Sequence, residues 1–154
     1  MLTDQQIIAK YGQPGDTSKL TVIQTAYPMR IAWDPKTTVS KIQCHKLVAP
    51  NFQAVFSELL GHYGLPELQQ LGIDLFGGCV NIRPMRGSKT QWSRHAWGIA
   101  IDLDPARNGL KTKWPQAQFA KPEYKKMIAI FKKNGFISYG ADRGYDAMHF
   151  EIGQ

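Results

Sequence analysis

Two short segments of the chain place histidines close to carboxylates. Residues 93–102 read Ser-Arg-His-Ala-Trp-Gly-Ile-Ala-Ile-Asp and contain His95 and Asp102, while residues 146–151 read Asp-Ala-Met-His-Phe-Glu and contain His149. Two histidines, one carboxylate and a further carboxylate nearby are what a catalytic zinc site needs, because such sites take three protein ligands and keep a fourth position open. The spare carboxylate then acts as a general base. From these residue types alone, a metal site and a purely structural role for the histidines both stay open.

The residues that follow His95 are predicted to form a strand, residues 98–104. Alternation along a strand places Asp102 and Asp104 on one face. Ala100 lies on that face too, and its small side chain leaves room for a bulky group between His95 and Asp102. For Asp104, which stands directly before a proline, we expect a plain role at the end of the strand, with metal binding as the alternative.

A second predicted strand, residues 148–152, places His149 and Glu151 on one face. Asp146 lies at the entrance to this strand, three residues before His149. We expect Glu151 to orient the imidazole of a ligand histidine by accepting a hydrogen bond from its second ring nitrogen. The spacing leaves open that Glu151 is itself a ligand or the base.

The two segments together resemble a known family. The pattern Ser-x-His-x-x-Gly-x-Ala-x-Asp at residues 93–102, followed by Asp-x-x-His-Phe-Glu at residues 146–151, resembles the M15 metallopeptidases, and the resemblance covers roughly residues 76–152. That family includes D-alanyl-D-alanine carboxypeptidases, D-Ala-D-Ala dipeptidases and phage L-alanoyl-D-glutamate endopeptidases.

Carried over position by position, the resemblance implies that His95, Asp102 and His149 bind Zn²⁺ and that Asp146 is the general base. Much of the family has a glutamate at the base position. An aspartate, with its shorter side chain, favours the endolysin-like branch and leaves the geometry of the base open.

The resemblance also implies residues that contact the substrate. The family keeps an arginine upstream of the Ser-x-His segment that stabilises the developing oxyanion; Arg83 is the expected counterpart here, and Arg86 is its rival. Ser93 is expected to hold the site or the substrate. Trp92 is expected either to stack against substrate or to pack at the rim of the site.

The function that the resemblance implies is zinc-dependent hydrolysis of peptide bonds in the stem peptides of bacterial peptidoglycan. The leading interpretation is a phage-type endolysin, an L-alanoyl-D-glutamate endopeptidase. The first alternative is a D-alanyl-D-alanine carboxypeptidase. The second is a protein without enzymatic activity, either a zinc-stabilised binding module or a basic nucleic-acid binder.

The rest of the chain predicts helices first and strands later, which indicates the α+β class. We expect a small antiparallel sheet that carries the zinc site, flanked by helices contributed mainly by the N-terminal half. Residues 20–49 contain short β-like runs with Pro28 and Pro35 whose order the sequence does not reveal. The other predicted elements are helices at 3–12, 50–64 and 122–135 and strands at 77–83, 98–104, 136–139 and 148–152.

The length of 154 residues predicts one peptidase domain, with residues 1–75 as a helical and irregular half and residues 76–154 as the catalytic half. The two cysteines, Cys44 and Cys79, are expected to be free thiols. No apolar run reaches the length of a membrane span, and the first residues do not form a signal peptide. We therefore expect a monomer that is made in the cytoplasm and acts on the bacterial cell wall.

The composition adds one unusual feature, a formal net charge of +7. An excess of basic residues favours a polyanionic partner, and nucleic acid is the first that it suggests. The resemblance redirects this interpretation. We expect the basic surface to bind anionic polymers of the cell wall, and we expect no nucleic-acid partner.

Overall fold

The computed structural model describes residues 2–153, which form a six-stranded sheet and five α-helices. A 3-10 helix, Arg94–Trp97, lies between the third and fourth strands. In chain order, the α-helices and strands are α1 (Asp4–Tyr11), β1 (Leu20–Ile31), β2 (Asp34–His45), α2 (Ala49–Tyr63), α3 (Leu65–Leu71), β3 (Leu75–Gly78), β4 (Ala100–Leu103), α4 (Lys125–Lys133), β5 (Phe136–Ser138), α5 (Tyr139–Arg143) and β6 (His149–Ile152).

The strands are arranged in the order β2-β1-β3-β4-β6-β5. All neighbouring pairs are antiparallel except β1 and β3, which run parallel. The predicted α+β class is confirmed. The prediction of a small antiparallel sheet was wrong in size and in direction, because the N-terminal half contributes a long hairpin, β1 and β2, and β1 joins the rest of the sheet in parallel.

The two prolines of the β1–β2 hairpin obscure its strands in the sequence, although the burial of side chains along β1 follows the alternation expected of a strand. Every second residue from Ile23 to Met29 is buried, and the residues between them are exposed. Pro28 lies where the register of the β1–β2 pair shifts, between Gln24 and Met29. A proline cannot donate to the ladder, so an irregular place in a pair accommodates it without the loss of a regular hydrogen bond.

The predicted helices are present, and one of them is shorter than expected. The N-terminus of α1 has a capping box, in which the Thr3 hydroxyl accepts from the backbone N–H of Gln6 at 3.2 Å and the Gln6 side chain accepts from the N–H of Thr3 at 2.8 Å. The helix predicted over residues 122–135 begins as a 3-10 turn, Pro122–Tyr124, before α4. Such turns are frequent at helix starts.

The strand predicted over residues 77–83 ends at Gly78. Beyond Gly78, whose φ is +121°, the chain leaves the sheet and runs beside the 3-10 helix Arg94–Trp97. There the N–H of Asn81 donates to the carbonyl of His95 at 3.0 Å. Similarly, β4 begins at Ala100 because Gly98 adopts a left-handed conformation, with φ of +71°.

Buried aromatic rings pack behind the strand that carries His149. Phe131 of α4 stacks on Phe150 of β6 with ring centroids 4.0 Å apart, and Phe136 packs against Phe52 of α2 at 4.9 Å. Because Phe150 follows His149 directly in β6, its burial fixes the position of that strand. No helix within residues 2–153 combines the length and the apolar character that a membrane crossing requires.

Candidate metal centre

Three side chains converge where β4 and β6 pair. Asp102 lies directly opposite His149 across this antiparallel pair. The 3-10 helix Arg94–Trp97 brings His95 to the same place, and one nitrogen or oxygen atom of each of the three side chains lies within 4.8 Å of the others. The structure therefore brings together the three residues that were predicted to bind metal.

His95 is held by its backbone and by one ring nitrogen. The Ser93 hydroxyl accepts from the backbone N–H of His95 at 3.3 Å. The Nδ1 atom of His95 lies 2.8 Å from the carbonyl oxygen of Cys79, which can only accept, so Nδ1 carries the proton. In the neutral ring, the lone pair is then on Nε2, which lies 3.2 Å from Oδ2 of Asp102.

His149 lies between two carboxylates. Its Nδ1 atom is 3.2 Å from Oδ1 of Asp102, and its Nε2 atom donates to Oε1 of Glu151 at 2.8 Å. The Nε2 bond leaves Nδ1 as the atom that faces the cluster. A carboxylate that accepts from the second nitrogen of a ligand histidine is the usual arrangement around metals, because it fixes the tautomer and the orientation of the ring.

The carboxylates and the imidazoles shift the pKa values of one another. Burial by itself lowers the pKa of His149, but Asp102 and Glu151 outweigh this effect and raise it to about 9. Burial raises the pKa of the Asp102 carboxyl, and the adjacent imidazoles of His149 and His95 outweigh this effect and hold the pKa well below its usual value. An environment that favours positive charge on an imidazole in this way also favours a metal cation.

A cation would also satisfy Nε2 of His95, a buried atom for which the protein provides no hydrogen-bond partner. Among residues 2–153, the buried side-chain atoms without a hydrogen bond are Nε2 of His95, Oδ1 of Asp146 and the hydroxyl oxygen of Tyr27. Two of these three atoms belong to this site, although buried polar atoms in proteins are nearly always bonded. Two imidazoles and one carboxylate are a common donor set for zinc. The residues present therefore fit a zinc ion.

Asp146 is placed beside the cluster by an unusual backbone conformation. Its φ is +54°, in the left-handed region, and its carbonyl accepts from the N–H of His149 at 3.0 Å. Left-handed residues other than glycine are uncommon and are often found at functional sites. Burial raises the pKa of the Asp146 carboxyl, partly offset by the positive charge of His149. The proposed base is thus buried, close to the cluster and more easily protonated than an exposed aspartate.

A cavity of about 480 Å³ opens over the cluster. Arg83, Arg86 and Ser93, for which substrate contact is a prediction, all lie in its wall. Arg83 also donates to the carbonyl of Pro84 at 3.1 Å. Both arginines therefore lie at the site, and both remain candidates for the residue that stabilises an oxyanion.

Trp92 is the one predicted substrate residue that is not part of this cavity wall. Its ring is half-buried against the hydrophobic core, and its backbone N–H donates to Oδ2 of Asp4 at 3.2 Å. This position corresponds to the packing role that the sequence left open for Trp92. Its contact with substrate stays a prediction.

The cavity wall also includes residues that the sequence did not indicate. Leu2, Thr3 and Asp4 of the N-terminal segment contribute to it, as do Arg94 and Tyr139. Arg94 could have been identified from the sequence, because it lies between Ser93 and His95 in the segment that carries a predicted ligand. The N-terminal residues carry no local signal, because they reach the site only through contacts with residues about ninety positions away.

A family model described as D-alanyl-D-alanine carboxypeptidase, one of the M15 peptidase models, matches residues 86–152. The matched part contains both segments with the predicted ligands and the predicted base. No curated protein and no solved structure matches the chain. The matched segment spans 67 of the 154 residues, less than half of the chain, and it is this segment that is similar to the M15 peptidases.

Proposed function

We propose that the protein is a zinc-dependent peptidase that cuts the stem peptides of bacterial peptidoglycan, as a phage-type L-alanoyl-D-glutamate endopeptidase. One observation carries the proposal: the ligand atoms of His95, Asp102 and His149 lie within 4.8 Å of one another, and Asp146 lines the same cavity. The cavity over the cluster is open, which supports a catalytic role over a purely structural one.

The residues would hold zinc through Nε2 of His95, the carboxylate of Asp102 and Nδ1 of His149. A zinc ion bound there supplies a Lewis acid that lowers the pKa of water and polarises a carbonyl group. Glu151 keeps the imidazole of His149 oriented through the hydrogen bond at Nε2. The hydrogen bond from His95 to the carbonyl of Cys79 does the same for the other ring.

Asp146 acts as the proton carrier in this proposal. Its carboxylate takes a proton from the attacking water and then delivers it to the leaving amine of the cleaved peptide bond. Burial raises the pKa of this carboxyl toward neutrality, which improves the return of the proton. Arg83 or Arg86 stabilises the negative charge that develops on the carbonyl oxygen, a contribution for which one lost donor costs about 10²–10³ in rate.

The second candidate function is a D-alanyl-D-alanine carboxypeptidase, which the description of the matching family model favours. The same ligands and base serve either reaction, because both hydrolyse a peptide bond. The two candidates differ in the bond that is cut. An endopeptidase produces a new break between L-alanine and D-glutamate, whereas a carboxypeptidase releases a single terminal D-alanine.

Mass spectrometry of digested muropeptides tests the proposal. We expect the protein to release the internal product, a chelator to abolish this activity, and added zinc to restore it. Asp146→Asn should retain zinc and lose activity by at least about 10²-fold, as expected for a lost general base. Asp34→Asn is the matched control, because Asp34 is an exposed aspartate at the start of β2, where its carboxylate accepts from the Thr37 hydroxyl, and the substitution should leave activity unchanged.

Each other outcome has a defined meaning. Release of terminal D-alanine alone identifies the carboxypeptidase. Zinc binding without cleavage of any muropeptide supports a binding module. Full activity in Asp146→Asn removes Asp146 from the reaction.

A further inference from the structure

We infer that Asp4, at the start of α1, is a positioning residue for the metal centre and acts on His149 through Arg94 and Glu151. This inference rests on the proposed zinc site. It concerns a residue that lies outside the part of the chain matched by the family model, residues 86–152.

Asp4 binds the segment that directly precedes His95. Its Oδ1 atom accepts from Nη1 of Arg94 at 2.6 Å, and its Oδ2 atom accepts from the backbone N–H of Trp92 at 3.2 Å. The carbonyl oxygen of Leu2 accepts from Nη2 of Arg94 at 2.7 Å. The N-terminal segment therefore engages both terminal nitrogens of one guanidinium group, a geometry that fixes the plane of that group.

Arg94 connects this segment to the metal centre. Its side chain is only 8% exposed, and its Nε atom lies 3.8 Å from Oε2 of Glu151, whose side chain is 3% exposed. The other oxygen of Glu151 accepts from Nε2 of His149. Asp4, Arg94 and Glu151 thus alternate in charge along one connected chain, and Glu151 at its end bonds to the imidazole of His149.

The distances indicate what Asp4 contributes. The guanidinium of Arg94 is closer to Asp4 than to Glu151: Nη1 lies 2.6 Å from Oδ1 of Asp4, and Nε lies 3.8 Å from Oε2 of Glu151. Without the carboxylate of Asp4, Glu151 would become the nearest anion to the buried guanidinium of Arg94 and would attract it. Arg94 would then compete with His149 for the Glu151 carboxylate, and the imidazole would lose its fixed orientation.

The segment can act in this way because it is anchored at its other end as well. The indole N–H of Trp97 donates to the carbonyl of Gly12 at 2.8 Å, and the N–H of Gly15 donates to the carbonyl of Ala96 at 2.8 Å. Both contacts join residues around the end of α1 to the 3-10 helix that carries His95. The N-terminal segment is therefore fastened on both sides of the ligand histidine.

Zinc affinity of Asp4→Asn, measured by competition with a chromophoric chelator, tests the inference. Loss of a residue that supports a ligand commonly costs 10–100-fold in metal affinity, and we expect about tenfold here. The visible absorption of the Co²⁺-loaded protein should change with it, because that spectrum reports ligand geometry. Asp4→Glu, which keeps the charge, should restore most of the affinity. Asp16→Asn is the matched control: Asp16 caps the 3-10 helix Thr17–Lys19, accepts from Ser18 and is not part of the cavity wall.

A double-mutant comparison separates this route from a local effect on α1. If Asp4 acts through Arg94, Asp4→Asn should cause no further loss of zinc affinity in a protein that already carries Arg94→Gln. Additive losses would overturn the inference, as would wild-type affinity in Asp4→Asn. Should Asp4→Asn fail to fold, Arg94→Lys, which keeps the charge but not the two-nitrogen contact, must show the loss instead. A wild-type protein that binds no zinc would contradict the proposed function itself.

Discussion

Replacement of Gly98 by alanine tests whether the turn between His95 and Asp102 builds the site. Gly98 ends the 3-10 helix that carries His95 and lies two residues before β4, which carries Asp102. Its φ is +71°, and a Cβ atom at this position would lie 2.9 Å from the backbone nitrogen of His45 and 3.1 Å from a methyl carbon of Leu20. The N–H of His45 also donates to the carbonyl of Gly98 at 2.9 Å, so the two backbones are fastened together.

The expected loss of stability has two parts. A left-handed conformation costs a residue with a Cβ atom about 1–2 kcal/mol. The contact with the backbone of His45 cannot be relieved by a side-chain rotation, and overpacking of this kind costs about 1–3 kcal/mol more. The sum is about 2–5 kcal/mol. At about 3 °C per kcal/mol for a chain of this size, Gly98→Ala should lower Tm by about 6–15 °C.

Gly144→Ala is the matched control. Gly144 also has a left-handed conformation, with φ of +85°, but apart from the glycine and its two chain neighbours no heavy atom of residues 2–153 lies within 4 Å of the position of its Cβ. Only the conformational cost of about 1–2 kcal/mol applies, which corresponds to about 3–6 °C in Tm. Thermal unfolding of the metal-free proteins measures both values, and a zinc titration of Gly98→Ala should show weaker binding as well. Equal losses of Tm in the two variants would refute the reasoning about the close approach.

Three further predictions concern the core, the thiols and the charge. Phe131→Ala should lower the free energy of unfolding in urea by about 3–5 kcal/mol, because the ring is fully buried and stacks on Phe150; a loss below about 1 kcal/mol would contradict this packing. Burial raises the pKa of Cys44 to about 12 and that of Cys79 well above its usual value, so at pH 8 a thiol reagent should label them only after denaturation, and rapid labelling of the native protein would be the contrary result. Hydrolysis of intact cell walls should slow as NaCl rises to roughly 0.5 M, while hydrolysis of a small soluble muropeptide changes little, because screening weakens the attraction between a protein of net charge +7 and an anionic wall; equal salt dependence would make the charge incidental.

The parts of the site that could be predicted are those with local signals. The alternation of side chains along a strand predicts that His149 and Glu151 share one face of β6, and it gives the face of β4 on which Asp102 lies. In the structure the two strands pair with Asp102 opposite His149. The glycine after the Ser-x-His segment marks the turn that the structure contains at Gly98. Strand periodicity and a required glycine depend on neighbouring residues alone, so they can be recognised in one sequence.

The parts that could not be predicted depend on contacts between distant residues. The N-terminal wall of the cavity exists because Asp4 binds Arg94, and nothing in the first residues indicates that contact. The β1–β2 hairpin was missed for another reason: Pro28 and Pro35 are typical of breaks in a strand, whereas here one of them lies at a shift of register and the other follows the turn in an edge strand. Edge strands tolerate proline because one side of the strand has no ladder to complete.

The backbone of Asp146 shows how the site depends on a loop that carries none of the predicted residues. A left-handed aspartate is maintained only if the surrounding structure fixes it. Here Met148, two residues later, donates its N–H to the carbonyl of Asn108 at 2.9 Å. Asn108 is fully buried, and its side-chain amide makes two hydrogen bonds. The amide nitrogen donates to the carbonyl of Asp104 at 3.0 Å, and the amide oxygen accepts from the N–H of Phe119 at 2.8 Å. Asp104, at the end of the strand that carries a predicted metal ligand, thus serves the site as a support for the loop that fixes the proposed base.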